Sequence, residues 1–331
     1  MRLTLILCLL TVIGLCSLSI NTFLTYREES IRLERVENDK LLPPEPPSPN
    51  IPHAILQTYK TSHIDEWKKE EGKNNRTSWF LSWGQQNPNY THIVLDDLAA
   101  IEFMTAEFTR RIANAYIKLP LKVERADMLR YAMALKWGGI YTDSDTFCHR
   151  PIDKWVGEYK NASFIVAVEV SLLAIFFKDS SAKFERFRYT QLVQWTFAAA
   201  QNHPILRNLL IQLTRSIELT PSFHLPQAVV VEKLSGPQFF TSVIETYLKA
   251  HGESLNRLNK DDTQRVYFEK SGVLVLPLNS FSVGNETMDM DTAFVSHYFK
   301  GFDMQTGWKN GNGKIKEATE SSTKAKKKKI H

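Results

Sequence analysis

Cysteine is scarce in this chain of 331 residues: there are three, and two of them, Cys8 and Cys16, sit in the first apolar segment. Only Cys148 lies beyond it, so no disulfide framework can brace the rest of the chain. Cys148 follows an acidic motif, but no feature of the sequence argues for a nucleophile, and it reads as a small buried side chain. Long apolar runs are equally few. Leu3 to Leu24 carries no charged residue, and no comparable run follows residue 25. Basic residues interleaved with aromatics are missing, which argues against a nucleic-acid surface. The formal charge is +5, yet Lys324, Lys326, Lys327, Lys328 and Lys329 supply all of it, so the high pI is a local effect of the tail. The paired histidines expected of a metal-dependent hydrolase are also absent.

What is present falls into segments. Leu3 to Leu24 is long enough to span a bilayer as a helix. A cleaved signal peptide would have a shorter apolar core, and Ser17-Leu18-Ser19 is a weak cleavage site. The expected layout is a cytoplasmic tail at residues 1–2, a signal-anchor at 3–24, and the bulk of the chain on the lumenal side. Residues 25–50 read as a stem. Arg27 to Lys40 is charged and suits a short helix, and Leu41 to Asn50 holds five prolines in ten residues, a stiff extended spacer. Residues 51–309 are expected to form the globular domain, and residues 310–331 a disordered, lysine-rich tail. Four sequons, at Asn75, Asn89, Asn161 and Asn285, are consistent with a lumenal domain.

Within the domain, strands are predicted at 51–60, 89–96, 140–141, 164–168 and 273–277. Helices are predicted within 67–87 and over 107–119, 125–137, 191–200, from Pro204, and over 238–250. Strands alternating with helices indicate an α/β layered fold, whose ligands bind at the carboxyl ends of the strands.

The chain is organised around Arg125 to Trp155. Met128, Leu129, Ala132, Met133 and Leu135 give an apolar helical face, Gly138-Gly139 stops the helix, and Ile140-Tyr141 leads into Asp143-Ser144-Asp145-Thr146. Two carboxylates one residue apart at a strand end suit a hard divalent cation, Mg²⁺ or Mn²⁺. A loop would turn both acids toward one point, and a continuing strand would put them on one face. A solvated acidic turn is the plain alternative. Asp127 and Arg130, three apart on the helix, share a side, and their plain reading is a surface ion pair.

This stretch resembles glycosyltransferase family 32, the Asp-x-Asp enzymes of the fungal initiating α-1,6-mannosyltransferase type. The residues that carry the resemblance are Arg125, Asp127, Arg130-Tyr131, Gly138-Gly139-Ile140-Tyr141, Asp143-Ser144-Asp145-Thr146 and Pro151-Ile152-Asp153. The opening strand matches at Gln57-Thr58, with Leu56 and Tyr59 where the family has His and Trp. Further matches are Gln194-Trp195-Thr196, His203-Pro204, Ser235-Gly236-Pro237 and the late His297.

The resemblance implies a GT-A-like nucleotide-sugar-binding fold, with a central mixed sheet flanked by helices and one transmembrane helix before it. It implies a retaining transfer of mannose from GDP-mannose to an N-linked glycan on glycoproteins at the Golgi membrane, with Mn²⁺ or Mg²⁺ as cofactor. Asp143, Asp145 and His297 are the implied metal ligands, and Asp143 and Asp145 the catalytic pair. Gln57, Asp127, Arg130, Tyr141 and Asp143 are the implied donor contacts, and Trp195 and His203 the acceptor contacts. A core tryptophan is the other reading of Trp195. A double displacement would need a carboxylate nucleophile, for which Asp289 and Asp291 are candidates by position, and a same-face mechanism without one is equally open. The other functions to weigh are an inositol phosphoceramide mannosyltransferase and a non-catalytic subunit of a Golgi mannan-synthesising complex. Other mannosyltransferases are expected as complex partners.

Overall fold

The computed structural model describes residues 34–69, 76–169, 191–219, 231, 233–259, 264–278, 280–283, 293–299, 302–303 and 307–308. The anchor expected at 3–24, the tail at 310–331 and the pair Asp289 and Asp291 lie outside these residues. Among the described residues no helix is long and apolar enough to cross a membrane.

Along the chain, α1 is residues 34–41, β1 Ala54–Thr58, α2 Ile64–Lys69, α3 Arg76–Gln86, β2 Thr91–Leu95, α4 Asp97–Glu107, α5 Arg110–Lys118 and α6 Lys122–Trp137. Next come β3 Gly139–Thr142, β4 Thr146–Cys148, β5 Phe164–Glu169, β6 Gln191–Leu192, β7 Thr196–Ala199, α7 Pro204–Leu219 and α8 Pro237–Ala250. Short strands complete it: β8 Val266–Phe268, β9 Val273–Leu276, β10 Phe281–Val283, β11 Val295–His297, β12 Phe302–Asp303 and β13 Gly307–Trp308.

A mixed sheet runs β2-β1-β3-β7-β5-β9-β8, with β6 paired to β5. β1 lies parallel to both β2 and β3, and β7 is antiparallel to β3 and β5. The strands alternate between two cores, as the two-residue period of a strand requires. Leu56, Tyr141, Phe164, Phe197 and Val273 face α4 to α8. Ile55, Ile140, Ile165, Ala198 and Leu274 face Trp83, Trp155, Phe281 and Val295. Burial on both faces is why these strands read as apolar runs without alternation.

That burial overturns one prediction. Residues 191–200 are strands β6 and β7, not a helix. Thr196–Ala199 is buried at every position between β3 and β5, and a short, fully buried strand has the same apolar pattern as a buried helix turn.

A second correction concerns the stem. Helix α1 falls largely within the expected short helix at 27–40, but the proline segment expected at 41–50 as a spacer does not stand off from the domain. Leu41 and Leu42 join the main core. Arg207 of α7 pairs with Asp39 at 2.7 Å and donates to the Leu42 carbonyl, and Thr109 Oγ1 donates to the Leu41 carbonyl at 3.0 Å. The prolines after Leu42 run over the domain surface, where Ser48 N donates to the Gln201 carbonyl.

Helix α6 starts at Lys122, three residues before the expected point, and ends as expected at Gly138, with φ +64°. Gly139 follows at φ +96°, and a Cβ there would collide with the Ala54 carbonyl oxygen. The two glycines let the chain reverse from α6 into β3, which delivers Asp143 to the carboxyl end of the central strand.

Candidate active site

Asp143 leaves β3 in a turn held by a threonine hub. Thr146 Oγ1 donates to the Asp143 carbonyl at 2.6 Å. That commits its single proton, so the contacts at 2.8 Å from Thr142 Oγ1 and 3.2 Å from Trp83 Nε1 are ones it accepts. Asp143 N donates to the Trp195 carbonyl at 2.9 Å, and Tyr298 N to the Asp145 carbonyl at 3.0 Å. The two ends of this turn are thus tied to neighbouring elements through the Asp143 amide and the Asp145 carbonyl.

His297 arrives from 152 residues away through strand pairing. β11 runs antiparallel to β4, with His297 opposite Thr146. Its Nε2 lies 3.1 Å from Asp145 Oδ1 and 3.9 Å from Asp143 Oδ2. One ligand atom from each of Asp143, Asp145 and His297 falls within 4.8 Å of the others. Two carboxylate oxygens and an imidazole nitrogen, closely spaced at a strand end, fit Mn²⁺ or Mg²⁺ with positions left for water or phosphate. The imidazole is clamped between two rings: Trp195 at 4.6 Å and Phe299 at 3.9 Å between centroids. Phe299 holds φ at +47°, a sparsely populated conformation for a large side chain.

Behind the acids stands a buried guanidinium. Arg130 Nη1 pairs with Asp127 Oδ1 at 3.0 Å, and Nη2 with Asp143 Oδ1 at 3.1 Å. Both members of the Asp127–Arg130 pair are buried, so it is not the surface ion pair of the plain reading. Asp127 Oδ2 accepts from Ser235 Oγ at 2.7 Å. Burial pushes the Asp127 carboxyl up to about 7, against Arg130 and the Ser235 hydrogen bond. Burial also works against the charge of Arg130, but Asp143, then Tyr141 and Asp127, outweigh it and raise its pKa. The two partners therefore shift unequally. Arg130 is shared between two carboxylates, of which Asp127 is the more buried.

Tyr141 is fully buried and its hydroxyl donates to Asp143 Oδ1 at 2.7 Å. Gln57, at the end of β1, donates to the Asp143 carbonyl at 3.2 Å and lies 2.8 Å from His92 Nε2 through its Oε1. An amide oxygen only accepts, so His92 carries its proton on Nε2. Burial lowers the His92 pKa to about 4 and keeps the ring neutral.

The structure thus brings Gln57, Asp127, Arg130, Tyr141, Asp143, Asp145 and His297 together. Trp195 is beside them and its Nε1 donates to Glu169 at 3.1 Å, but it is 6 % exposed and its ring packs on His297. His203 is not brought in. β7 pairs Thr196 with Thr142 at the acid end and Ala199 with Gly139 at the other, and His203 lies beyond Ala199. There it is buried against Phe164 and Tyr247, and burial lowers its pKa to about 3. His203 sits where helix α7 begins, its Nδ1 accepting from Ile205 N at 3.3 Å.

Sequence reasoning missed His92, Arg76 and Phe299. The His92 contact depends on the pairing of β1 with β2, and Arg76 reaches the turn only through the packing of α3 on β4. No local pattern in the sequence signals either. Cys148 is buried, as the sequence suggested. Burial pushes its thiol up to about 12, and Sγ donates to the Arg150 carbonyl at 3.2 Å. It is structural.

Residues 74–162 match the family model of the glycosyltransferase sugar-binding region containing DXD motif. The initiation-specific α-1,6-mannosyltransferase of Schizosaccharomyces pombe is 32% identical over 266 residues, which is 76% of this chain and 63% of that protein. The chain thus spans somewhat under two thirds of that relative's length. The Candida albicans protein of the same name is 27% identical, over 76% of this chain and 71% of its own. The mannosyl phosphorylinositol ceramide synthase SUR1 of Saccharomyces cerevisiae is 34% identical, over 38% of this chain and 31% of that protein. Of solved structures, the PaToxG glycosyltransferase aligns at TM-score 0.41 and 18% identity over 68% of this chain and 79% of that one, too loosely to carry an argument. The matched region and the two long alignments make the chain similar, over residues 74–162 and beyond, to glycosyltransferases with the DXD-containing sugar-binding region.

Proposed function

We propose that the protein is a retaining, metal-dependent mannosyltransferase of GT-A-like fold. In this reading it moves mannose from GDP-mannose to a mannose of an N-linked glycan on glycoproteins, in the manner of an initiation-specific α-1,6-mannosyltransferase. The observation that carries the reading is the convergence of Asp143, Asp145 and His297 at the carboxyl end of the central strand, with Arg130 behind them.

Asp143, Asp145 and His297 hold Mn²⁺ or Mg²⁺ in this reading. When bound, the ion supplies Lewis-acid stabilisation of the charge on the donor's diphosphate. The chain's own residues do the rest. Tyr141 and Arg130 fix the Asp143 carboxylate from two sides. Gln57 is fully buried and fixes the Asp143 backbone carbonyl, so it acts on the donor through Asp143. Asp127 holds one arm of the Arg130 guanidinium so that the other faces Asp143. In the transfer the sugar C1–O bond breaks and its electron pair leaves on the β-phosphate oxygen. On the same face the acceptor hydroxyl oxygen forms the new bond to C1, and its proton passes to the departing β-phosphate oxygen. Clamping by Trp195 and Phe299 holds the imidazole still during this step, the preorganisation that charge stabilisation requires.

The apolar run at residues 3–24 supports a signal-anchor with the domain in the Golgi lumen, and complexes with other mannosyltransferases fit that setting. The reading as an inositol phosphoceramide mannosyltransferase ranks second, because the ceramide-synthase likeness spans half as much of this chain as the α-1,6-mannosyltransferase likeness. The experiment is a donor panel with the purified chain and Mn²⁺: GDP-mannose, UDP-glucose and UDP-galactose. Turnover of GDP-mannose, above the other two and lost in Asp145→Ala, is the expected result. Turnover of a uridine donor instead would overturn the mannose assignment, and inert donors throughout would overturn the catalytic one.

A further inference from the structure

Helix α3 lies along β4 and is stitched to it at successive points. Asn87 Oδ1 accepts from Ile152 N at 2.8 Å, Ser82 Oγ from Cys148 N at 2.9 Å, and Trp83 Nε1 donates to Thr146. The helix therefore cannot slide, and its first residue, Arg76, is fixed over the turn between the two acids. There Arg76 Nη1 donates to Ser144 Oγ at 2.8 Å. Ser144 is the middle residue of Asp143-Ser144-Asp145 and is itself buried.

The guanidinium also rests on an aromatic shelf. Its Cζ is 4.6 Å from the Tyr59 ring centroid and 5.9 Å from that of Trp79. Trp79 stacks on Tyr298 at 4.4 Å and 8°, and Tyr298 follows His297 and holds the Asp145 carbonyl. The shelf and the acidic cluster are thus one rigid unit.

Charge separates the two arginines at this site. Arg130 is spent on Asp127 and Asp143. Arg76 makes no ion pair among the described residues, and one hydroxyl contact uses one of its five N–H donors. Half-buried beside two carboxylates, it is a cation held in place with most of its fork open. Such a fork matches the oxygens of a phosphate.

We propose that Arg76 is a second cation for the leaving diphosphate: its open donors engage the diphosphate oxygens of the sugar nucleotide as the C1–O bond breaks. The inference rests on the sugar-nucleotide reading of the site and adds a residue to it. It also gives the aromatic shelf a purpose, since stacking on Tyr59 and Trp79 orients a planar guanidinium where an ammonium would rotate.

The test compares binding of GDP and of guanosine to the full chain with Mn²⁺, in wild type, Arg76→Gln and Arg76→Lys. GDP binding is read by calorimetry and guanosine by saturation-transfer NMR. Arg76→Gln should weaken GDP about 10- to 100-fold, the loss expected for charge-assisted hydrogen bonds, and leave guanosine unchanged. Arg76→Lys should recover part of the GDP affinity. A parallel loss of Mn²⁺ affinity in the nucleotide-free chain, read by the same calorimetry, would mean that Arg76 merely positions Ser144 and the turn, and would overturn the proposal, as would unchanged GDP binding or equal losses for GDP and guanosine. Wild type binding no GDP would sink the sugar-nucleotide reading itself, a result distinct from either.

Discussion

Replacing Arg130 with Met tests how the buried charges support one another. Methionine keeps an unbranched stem against the Tyr141 ring, where the guanidinium carbon lies 5.1 Å from the centroid, and removes the charge. The side chains of Arg130 and Asp127 are 5% and 3% exposed, so the substitution strands Asp127 in the core. Asp143 is 22% exposed and is screened by water, so little of the loss arises there. Removing one partner of a buried pair costs about 3–5 kcal/mol. In a domain of this size that lowers Tm by roughly 6–20 °C. Adding Asp127→Asn should recover most of it, because the asparagine oxygen still accepts from Ser235 Oγ and no charge remains. The coupling in the double-mutant cycle should reach about 2–3 kcal/mol. The pH dependence has a defined sign. Asp127 already holds its proton up to about 7, and losing Arg130 moves that point higher. The native state then binds a proton that the unfolded chain releases above about 4, so stability falls as pH rises through that window. The Arg130→Met deficit should be larger at pH 8 than at pH 5, measured by chemical denaturation. Additive losses, or a deficit independent of pH, would refute the reasoning.

Four further outcomes follow from the geometry. His92 is lowered to about 4 by burial, so between about 4 and 6.5 the unfolded chain gains a proton that the native chain refuses. The stability difference between wild type and His92→Gln should therefore shrink as pH falls through that window, by up to about 1.4 kcal/mol per pH unit, read from Tm against pH. Gly139→Ala should cost more than about 2 kcal/mol, from left-handed strain plus the collision with the Ala54 carbonyl. Gly157→Ala, at φ +56° with its nearest neighbour 3.5 Å from the added methyl, should cost only about 1–2 kcal/mol of strain. Thr146→Val removes the hub of the acidic turn while leaving both acids, and should weaken Mn²⁺ binding about 10-fold or more, as loss of supporting hydrogen bonds does, measured by calorimetry.

Much of this site was legible in the sequence because its signals are local. Gly138-Gly139 after an apolar helix specifies a reversal, and the reversal delivers Asp143 and Asp145 to a strand end. Asp127 and Arg130 meet because they lie three positions apart on one helix. His297 was legible only through family resemblance, since its place depends on β11 pairing with β4 across most of the chain. The threonine hub, where Thr142, Thr146 and Thr196 meet from three strands, was not legible, since it too depends on strand pairing. The errors are also physical. Residues 191–200 looked helical because a strand buried on both faces loses its alternation. Residues 41–50 looked like a spacer because proline composition reports backbone stiffness and says nothing of what Leu41, Leu42 and the nearby carbonyls dock against. His203 carries a family-like His-Pro pair, but the antiparallel course of β7 sends it to the far end of the sheet.

The measurement that bears most directly on the account is transfer itself. Purified protein, stripped with a chelator and reconstituted with Mn²⁺, is given GDP-mannose and an N-linked mannose glycan, and the product is read by mass spectrometry. The account predicts one added mannose in the reconstituted wild type, none in the stripped protein, and none in Asp145→Ala or His297→Ala at full folding. Transfer that persists in the stripped protein, or in folded Asp145→Ala, would contradict it.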